Sequence, residues 1–339
     1  MKRLILIVLC AAVLCAGGIV LLEKREPPQE PAPQAQVPSA PQEPAPQAQA
    51  PSAPQEPVQE KSASFDEAVT LRVLADEGVE EVALHDYLVG VLVAEMPTDF
   101  PPEALKAQAV ASRTFALRQA EAHKHAGADV CADPACCQGY RAGQTDEAAL
   151  RAVEETDGLV MTYDGALIDA TFFSCSGGRT EAAVAVWGGD IPYLRSVESP
   201  GEEDAPRYVE TVSLSAEEFS AAFCEAFPEA NLAGGPESWF GACSYTDGGG
   251  IETMFIGGVP VGGTQLRRLF SLRSTNVSVR VTDGDTIELT THGFGHRVGL
   301  SQYGAKAMAE EGRDFETILT HYYTGANVTR LLTEQPCYV

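Results

Sequence analysis

Residues 84–123 read LHDYLVGVLVAEMPTDFPPEALKAQAVASRTFALRQAEAH. Leu84, Leu88, Val91 and Leu92 recur at helical spacing as far as Glu95, and Pro97 ends the run because its ring removes a backbone donor and clashes with the preceding turn. Pro101 and Pro102 then open a second helix with Glu103 in its first turn, a start signal followed by an alanine- and leucine-rich stretch to His123. Around this helix pair the sequence reads as strands. Val69, Leu71 and Val73 alternate with polar neighbours, Asp76-Glu77-Gly78 makes a turn, and Val79 to Ala83 returns. Leu159–Tyr163 and Ala166–Phe173 flank Asp164-Gly165, a hairpin signal, and Val277–Val281 and Thr286–Thr290 flank Asp283-Gly284-Asp285. Helical patterns cover Asp146–Thr156, Ser301–Glu311 and Phe315–Tyr323. Residues 201–263 read as loop-rich. Hairpins and helices in separate runs predict an α+β fold of antiparallel hairpins and packed helices.

The chain has 339 residues, 23 Lys+Arg and 48 Asp+Glu, a formal charge of -25. Residues 1–62 hold five basic and six acidic side chains, so the remainder carries -24. A body that acidic repels a phosphate backbone, which excludes nucleic acid as a partner. The apolar share of 45% suffices for a packed core.

The amino end divides into two pieces. Lys2 and Arg3 precede an uncharged run from Leu4 to Leu22, close to the ~20 residues that span a bilayer as a helix. Basic residues before it predict a cytoplasmic tip and export of the rest, an uncleaved signal-anchor over residues 1–25. A cleaved signal peptide is the rival, and Cys15 raises a lipoprotein signal that Leu14 directly before it fits badly. Residues 26–62 repeat a Pro/Gln/Ala-rich unit: Pro28 to Ala40 recurs from Pro41 to Ala53 with only Val37 changed, to Ala50. With no apolar face to bury, this is an extended linker. Residues 63–339 form the third region, a single globular domain.

Several side chains in that region could carry chemistry. Glu95 sits at a helix carboxyl end, where the macrodipole disfavours an acid, among Val91, Leu92, Val93, Ala94 and Met96. A carboxyl desolvated there has its pKa raised, as a general acid requires, whereas an ordinary exposed helix-end glutamate would not. Lys106 and Arg113 share one face of the second helix, and Gln108 and Ser112 share another. A solvated face is the ordinary reading for each. His125, Cys131 and Cys137, spaced at six and six, make a credible zinc shell, against a disulfide from Cys131 to Cys136 or Cys137. Cys175 with His296 as base would make a nucleophilic pair, but no third group stands near. His292 and His296 lack the glutamate and the helix of a zinc-protease motif.

Longer blocks carry a resemblance. Leu88 to Pro97 and Glu103 to Ala116 are joined by Asp129-Val130-Cys131, Cys137-Gln138-Gly139-Tyr140, Phe173 to Glu181, Val186-Trp187-Gly188-Gly189, Pro192-Tyr193-Leu194 and Gly293 to Ala305. Together they resemble the stage II sporulation protein D (SpoIID) family over about residues 65–335. The resemblance implies a sporulation lytic transglycosylase that cleaves the MurNAc–GlcNAc bond of peptidoglycan and leaves a 1,6-anhydro-MurNAc end. It places Glu95 at the catalytic acid and Lys106, Gln108, Arg113, Ser176, His296, Gln302 and Tyr303 at positions that line the glycan cleft. It makes His125, Cys131 and Cys137 ligands of a structural zinc. It further implies a glycan stripped of its stem peptides, a sporulation amidase as partner, engulfment membrane proteins nearby, and the domain outside the membrane. A mostly uncharged glycan would be recognised by shape and hydrogen bonds. A wall-binding enhancer of an amidase is the alternative. Three positions depart from the family pattern: Cys175 where Thr is common, Phe294 where Trp is common, and Arg297 where Gly is common.

Overall fold

The computed structural model describes residues 64–332. The anchor over 1–25, the linker over 26–62 and Cys337 lie outside the described residues. Among the described residues no helix is long and apolar enough to cross a membrane.

In chain order the helices are α1 (Phe65–Ala68), α2 (Leu84–Glu95), α3 (Pro102–Glu121), α4 (Glu147–Glu155), α5 (Ala183–Trp187), α6 (Ala216–Ala226), α7 (Gly263–Leu269), α8 (Gln302–Glu310) and α9 (Phe315–Tyr322). Helix α3 has Pro102 at its start and Glu103 in its first turn, as the sequence predicts. Its alanines have a packing reason. The helix meets α2, α4, α8, α9 and the strand Leu159–Tyr163, so it is surrounded on several sides. Small side chains let those neighbours approach, and Ala104, Ala107, Ala109, Ala111 and Ala116 are fully buried. Helix α2 keeps Gly90 in mid-helix because a Cβ there would stand 2.6 Å from the Tyr140 ring. Burying Leu88 and Leu92 completely removes about 1.5–3 kcal/mol of apolar exposure per side chain.

The strands Thr70–Ala75 and Gly78–Ala83 pair antiparallel from Thr70↔Ala83 to Ala75↔Gly78. Val130–Cys131 adds to the first of them in parallel, with Leu74 opposite Cys131. Asn327–Arg330 pairs with Leu159–Tyr163. Asp164 and Gly165 both take positive φ, 49° and 80°, which a two-residue hairpin turn needs. The return strand covers only Ala166–Leu167, shorter than the sequence predicts, because Phe172–Phe173 pairs instead with Leu300–Ser301.

The segment from Val209 to His292 builds a second core. Val209–Ser215 joins the hairpin Asn276–Thr282 and Thr286–His292, each pairing antiparallel. Phe240–Tyr245, Ile251–Ile256 and Val259–Val261 form another sheet. Phe219, Phe223, Trp239, Leu266 and Phe270 are buried between these elements. Residues 201–263 are therefore largely regular, a correction to the loop-rich reading. The described residues are α+β, with two hydrophobic clusters.

Candidate active site

Glu95 is the last residue of α2, and its half-buried carboxyl opens into a cleft of about 470 Å³. Phe173, Arg267, Phe294, His296 and Gln302 are among the residues that line it. Two chain regions meet there, because Glu95 comes from the first core and Arg267 from α7 of the second. Burial pushes the Glu95 carboxyl above its ordinary value, and a hydrogen bond from the Gly139 amide to Oε1 only partly opposes this. Gly139 allows that close approach: a Cβ there would lie 3.0 Å from Oε1. Among the described residues lining the cleft, Glu95 is the single carboxylate and Arg267 the single Lys or Arg.

His296 is held rather than free. Its ring lies between Phe173 (centroids 5.6 Å apart) and Trp187 (5.3 Å). Nδ1 accepts the Val298 amide at 3.2 Å. Burial, helped by the nearby Arg267 charge, pushes its pKa down to about 4, against an opposing hydrogen bond with the Phe172 backbone. The imidazole is neutral at pH 7 and positions the cleft wall. Trp187 stays half exposed above it. Cys175 is fully buried, and burial with the nearby Glu202 charge pushes its thiol up to about 11. It does not line the cleft, so a Cys175–His296 nucleophile has no structural support.

The other predicted residues take different places. Gln302 lines the cleft, and its Nε2 donates to Gln108 Oε1 at 3.5 Å, while Gln108 donates to Ser112 Oγ at 3.1 Å. Gln108 thus lies one contact behind the wall. Lys106 pairs with Glu103 (2.9 Å) and Glu155 (2.7 Å) away from the cleft. Arg113 is fully buried, with its guanidinium on Asp66 and on the Leu159 carbonyl (3.0 Å). Tyr303 sets its ring edge-on to Phe100 and donates its backbone N–H to the Ser174 carbonyl. Ser176 is buried and gives its hydroxyl to Glu202 Oε2 at 2.7 Å. Glu202 also accepts from the Ser176 and Gly177 amides and from Ser199 and Ser301, fixing the strand that delivers Gln302. Lys106, Gln108, Arg113, Ser176 and Tyr303 do not line the cleft.

Arg297 takes φ 66°, a left-handed conformation that costs a non-glycine residue about 1–2 kcal/mol. That is the physical reason glycine suits the position. Here the buried guanidinium offsets the cost by donating to Glu181 Oε1 (3.2 Å) and to the carbonyls of Ser176, Arg179 and Gly248. Gly248 belongs to the loop that closes the second core's sheet, so this clamp ties the two cores together.

His125, Cys131 and Cys137 come together as their spacing predicts, and Cys136 joins them. The four ligand atoms all lie within 4.8 Å of one another. His125 Nε2 stands 3.2 Å from Cys137 Sγ and 3.9 Å from Cys136 Sγ. The cysteines are free thiols, not disulfides. One imidazole and three sulfurs suit a soft or borderline dication, and tetrahedral bonds of about 2.3 Å would put ligand atoms roughly 3.8 Å apart. The group could therefore hold a metal ion. Its loop turns on Asp133, whose carbonyl accepts the amides of Cys136 and Cys137. Pro134 and Cys137 of this loop face the cleft, and Gly139 follows two residues later.

The family model described as stage II sporulation protein matches residues 76–163, the span that carries Glu95, α3 and the His/Cys loop. Stage II sporulation protein D of Bacillus subtilis (strain 168) is 37% identical over 273 residues, covering 75% of this chain and 77% of the relative. The chain belongs to the stage II sporulation protein D family. The family's protein from Bacillus amyloliquefaciens is 36% identical over 270 residues, covering 75% of this chain and 76% of its own length. A more distant relative, the amidase enhancer of Bacillus subtilis (strain 168), is 28% identical over 299 residues, 71% of this chain and 40% of the enhancer.

Arg267, Glu202 and Cys136 are site residues that sequence reading did not single out. Arg267 has no motif around it. Cys136 was legible only as a candidate disulfide partner of Cys131, not as a metal ligand.

Proposed function

We propose that this SpoIID-family protein is a peptidoglycan lytic transglycosylase acting on peptide-free glycan, with Glu95 as general acid and then general base. The observation that carries this reading is one desolvated carboxyl in a cleft without a second carboxylate. Ordinary glycosidases need two, roughly 5–9.5 Å apart. Burial keeps a larger share of Glu95 protonated near neutrality than an exposed glutamate would be. The carboxyl gives its proton to the oxygen between MurNAc C1 and GlcNAc C4, and that C–O bond breaks. The C6 hydroxyl of the same MurNAc then closes on C1, and the Glu95 carboxylate accepts the hydroxyl proton. The acid is regenerated, no water is consumed, and the product end is 1,6-anhydro-MurNAc. His296, neutral and braced, shapes the wall, and Trp187 offers an aromatic face to a sugar ring.

His125, Cys131, Cys136 and Cys137 would hold a zinc ion in a closed shell of four protein ligands, which supports a structural rather than catalytic metal. We further propose membrane attachment through residues 4–22, with the domain carried outward on the 26–62 linker toward the wall at the sporulation septum. Incubating the soluble domain with peptide-free strands and weighing the products tests the reaction: anhydro ends are expected, and Glu95→Gln should abolish them. Metal analysis tests the shell, with zinc lost in both Cys131→Ser and Cys136→Ser.

A second reading, a wall-binding enhancer of an amidase, is favoured by the likeness to the amidase enhancer. Tight glycan binding without product, together with stimulation of a sporulation amidase, would replace the first reading with this one.

A further inference from the structure

Arg267 is out of place in a body that carries -24. Two other arginines of this part of the chain are paired with carboxylates: Arg273 with Glu210 at 3.0 Å and Arg297 with Glu181 at 3.2 Å. Arg267 donates Nε to the Leu272 carbonyl at 3.3 Å, and among the described residues no carboxylate pairs with it. It is partly buried, and burial alone pulls its pKa down. A desolvated guanidinium without a counter-charge is costly, so the fold retains it at a price unless a ligand supplies the anion. Its two Nη groups form the planar fork that matches a carboxylate. Glu95 does not serve as that anion: the two side chains line the same cleft without forming an ion pair.

The chemistry of the glycan offers a candidate. Each MurNAc carries a lactyl ether. In a peptide-bearing strand its carboxyl is an amide and neutral. In a peptide-free strand it is a free carboxylate, so the strand is anionic once per disaccharide. We propose that Arg267 binds this lactyl carboxylate and makes the cleft selective for peptide-free glycan. The inference rests on the glycan reading above and refines the expectation of recognition by shape and hydrogen bonds alone. It also gives the second core a function, since that core delivers a cation to the cleft that holds the acid.

The test uses the whole exported portion of the chain and defined MurNAc–GlcNAc oligomers in two forms, with free lactyl carboxylates or with the same groups converted to methylamides. Binding is measured on the Glu95→Gln variant so that turnover does not interfere, and cleavage on the unmodified protein. The carboxylate form is expected to bind about tenfold or more tighter, the scale of one charge-assisted bidentate contact. The preference should shrink as salt rises. Arg267→Met should erase it by raising KM for the carboxylate form with kcat little changed, and Arg267→Lys should restore part of it. Equal binding of the two forms by the unmodified cleft, a result independent of any variant's folding, would overturn the proposal. So would a preference that survives in folded Arg267→Met. Cleavage without discrimination sinks this inference alone, whereas neither binding nor cleavage of either form sinks it together with the glycan reading.

Discussion

The two cores contribute to the same cleft by opposite means. The first is helical, its α3 sheathed on several sides, and it holds the acid at a helix end where an amide from the His/Cys loop meets it. The second is built on sheets and aromatic stacking, with Phe219 parallel to Phe223, Trp239 and Phe270, and it holds the cation on a short helix. Acid and cation thus sit on elements of two different hydrophobic clusters. The contrast teaches that chemistry and selectivity can be perturbed one at a time.

The sharpest break should come from the first core. Glu95→Gln is expected to lower kcat on peptide-free glycan by about a thousandfold, the scale of lost general acid–base catalysis, while glycan binding by titration calorimetry stays intact. The same carboxyl sets the pH dependence. Because its folded pKa is raised, kcat/KM should be high at acidic pH and fall as pH rises through that pKa, giving an alkaline limb displaced upward from that of an exposed glutamate. A profile flat across that range would remove Glu95 from the role. Its stability contribution has the same sign: present below the unfolded value of about 4.5 and lost as pH rises through the folded value, so Glu95→Gln should melt higher than the unmodified protein at neutral pH.

The link between the two clusters is the next test. Arg297→Met leaves Glu181 buried without its partner and is expected to cost about 3–5 kcal/mol, read by chemical denaturation. Glu181→Gln with Arg297→Met together should cost less than the sum of the two alone, because the stranded charge is gone. Additive losses would mean that the pair does not act as a clamp. Within the cores, Phe219→Ala and Leu88→Ala should each cost about 2–5 kcal/mol. A single calorimetric transition in both variants indicates that the cores melt as one unit, and two transitions in Phe219→Ala indicate that they do not. The smallest effect is expected at the rim. Trp187→Ala removes a half-exposed ring, so glycan affinity should fall a few-fold, about 0.5–1.5 kcal/mol, with the melting temperature unchanged.

The same contrast explains what the sequence revealed. Helices α2 and α3 were legible because Leu84, Leu88 and Leu92 fall on a helical period and prolines mark both boundaries. The Asp164-Gly165 turn was legible because only a few residue types accept positive φ. Of the second core only the hairpin around Asp283-Gly284-Asp285 was legible; Val209–Ser215 finds its partner at Thr286–His292, and such distant pairing leaves no local signal. Charge was the least legible property. Arg113 and Lys106 lie on one helix seven residues apart, yet one is sealed against Asp66 and the other sits at the surface with Glu103 and Glu155. Helical spacing says which residues share a face, and only the tertiary neighbours say whether that face meets water. Likewise Cys136 reads in sequence as a candidate disulfide partner of Cys131, until the turn on Asp133 brings its sulfur to the cluster as a free thiol.

The Gly139 amide has a use beyond holding Glu95. Its proton joins the acid to the loop that carries Cys131, Cys136 and Cys137. In an NMR spectrum its resonance should move downfield as the carboxyl ionises, and its exchange with solvent should quicken when the loop loosens. One backbone signal therefore reports the acid's charge and the loop's integrity separately, without any label placed in the cleft.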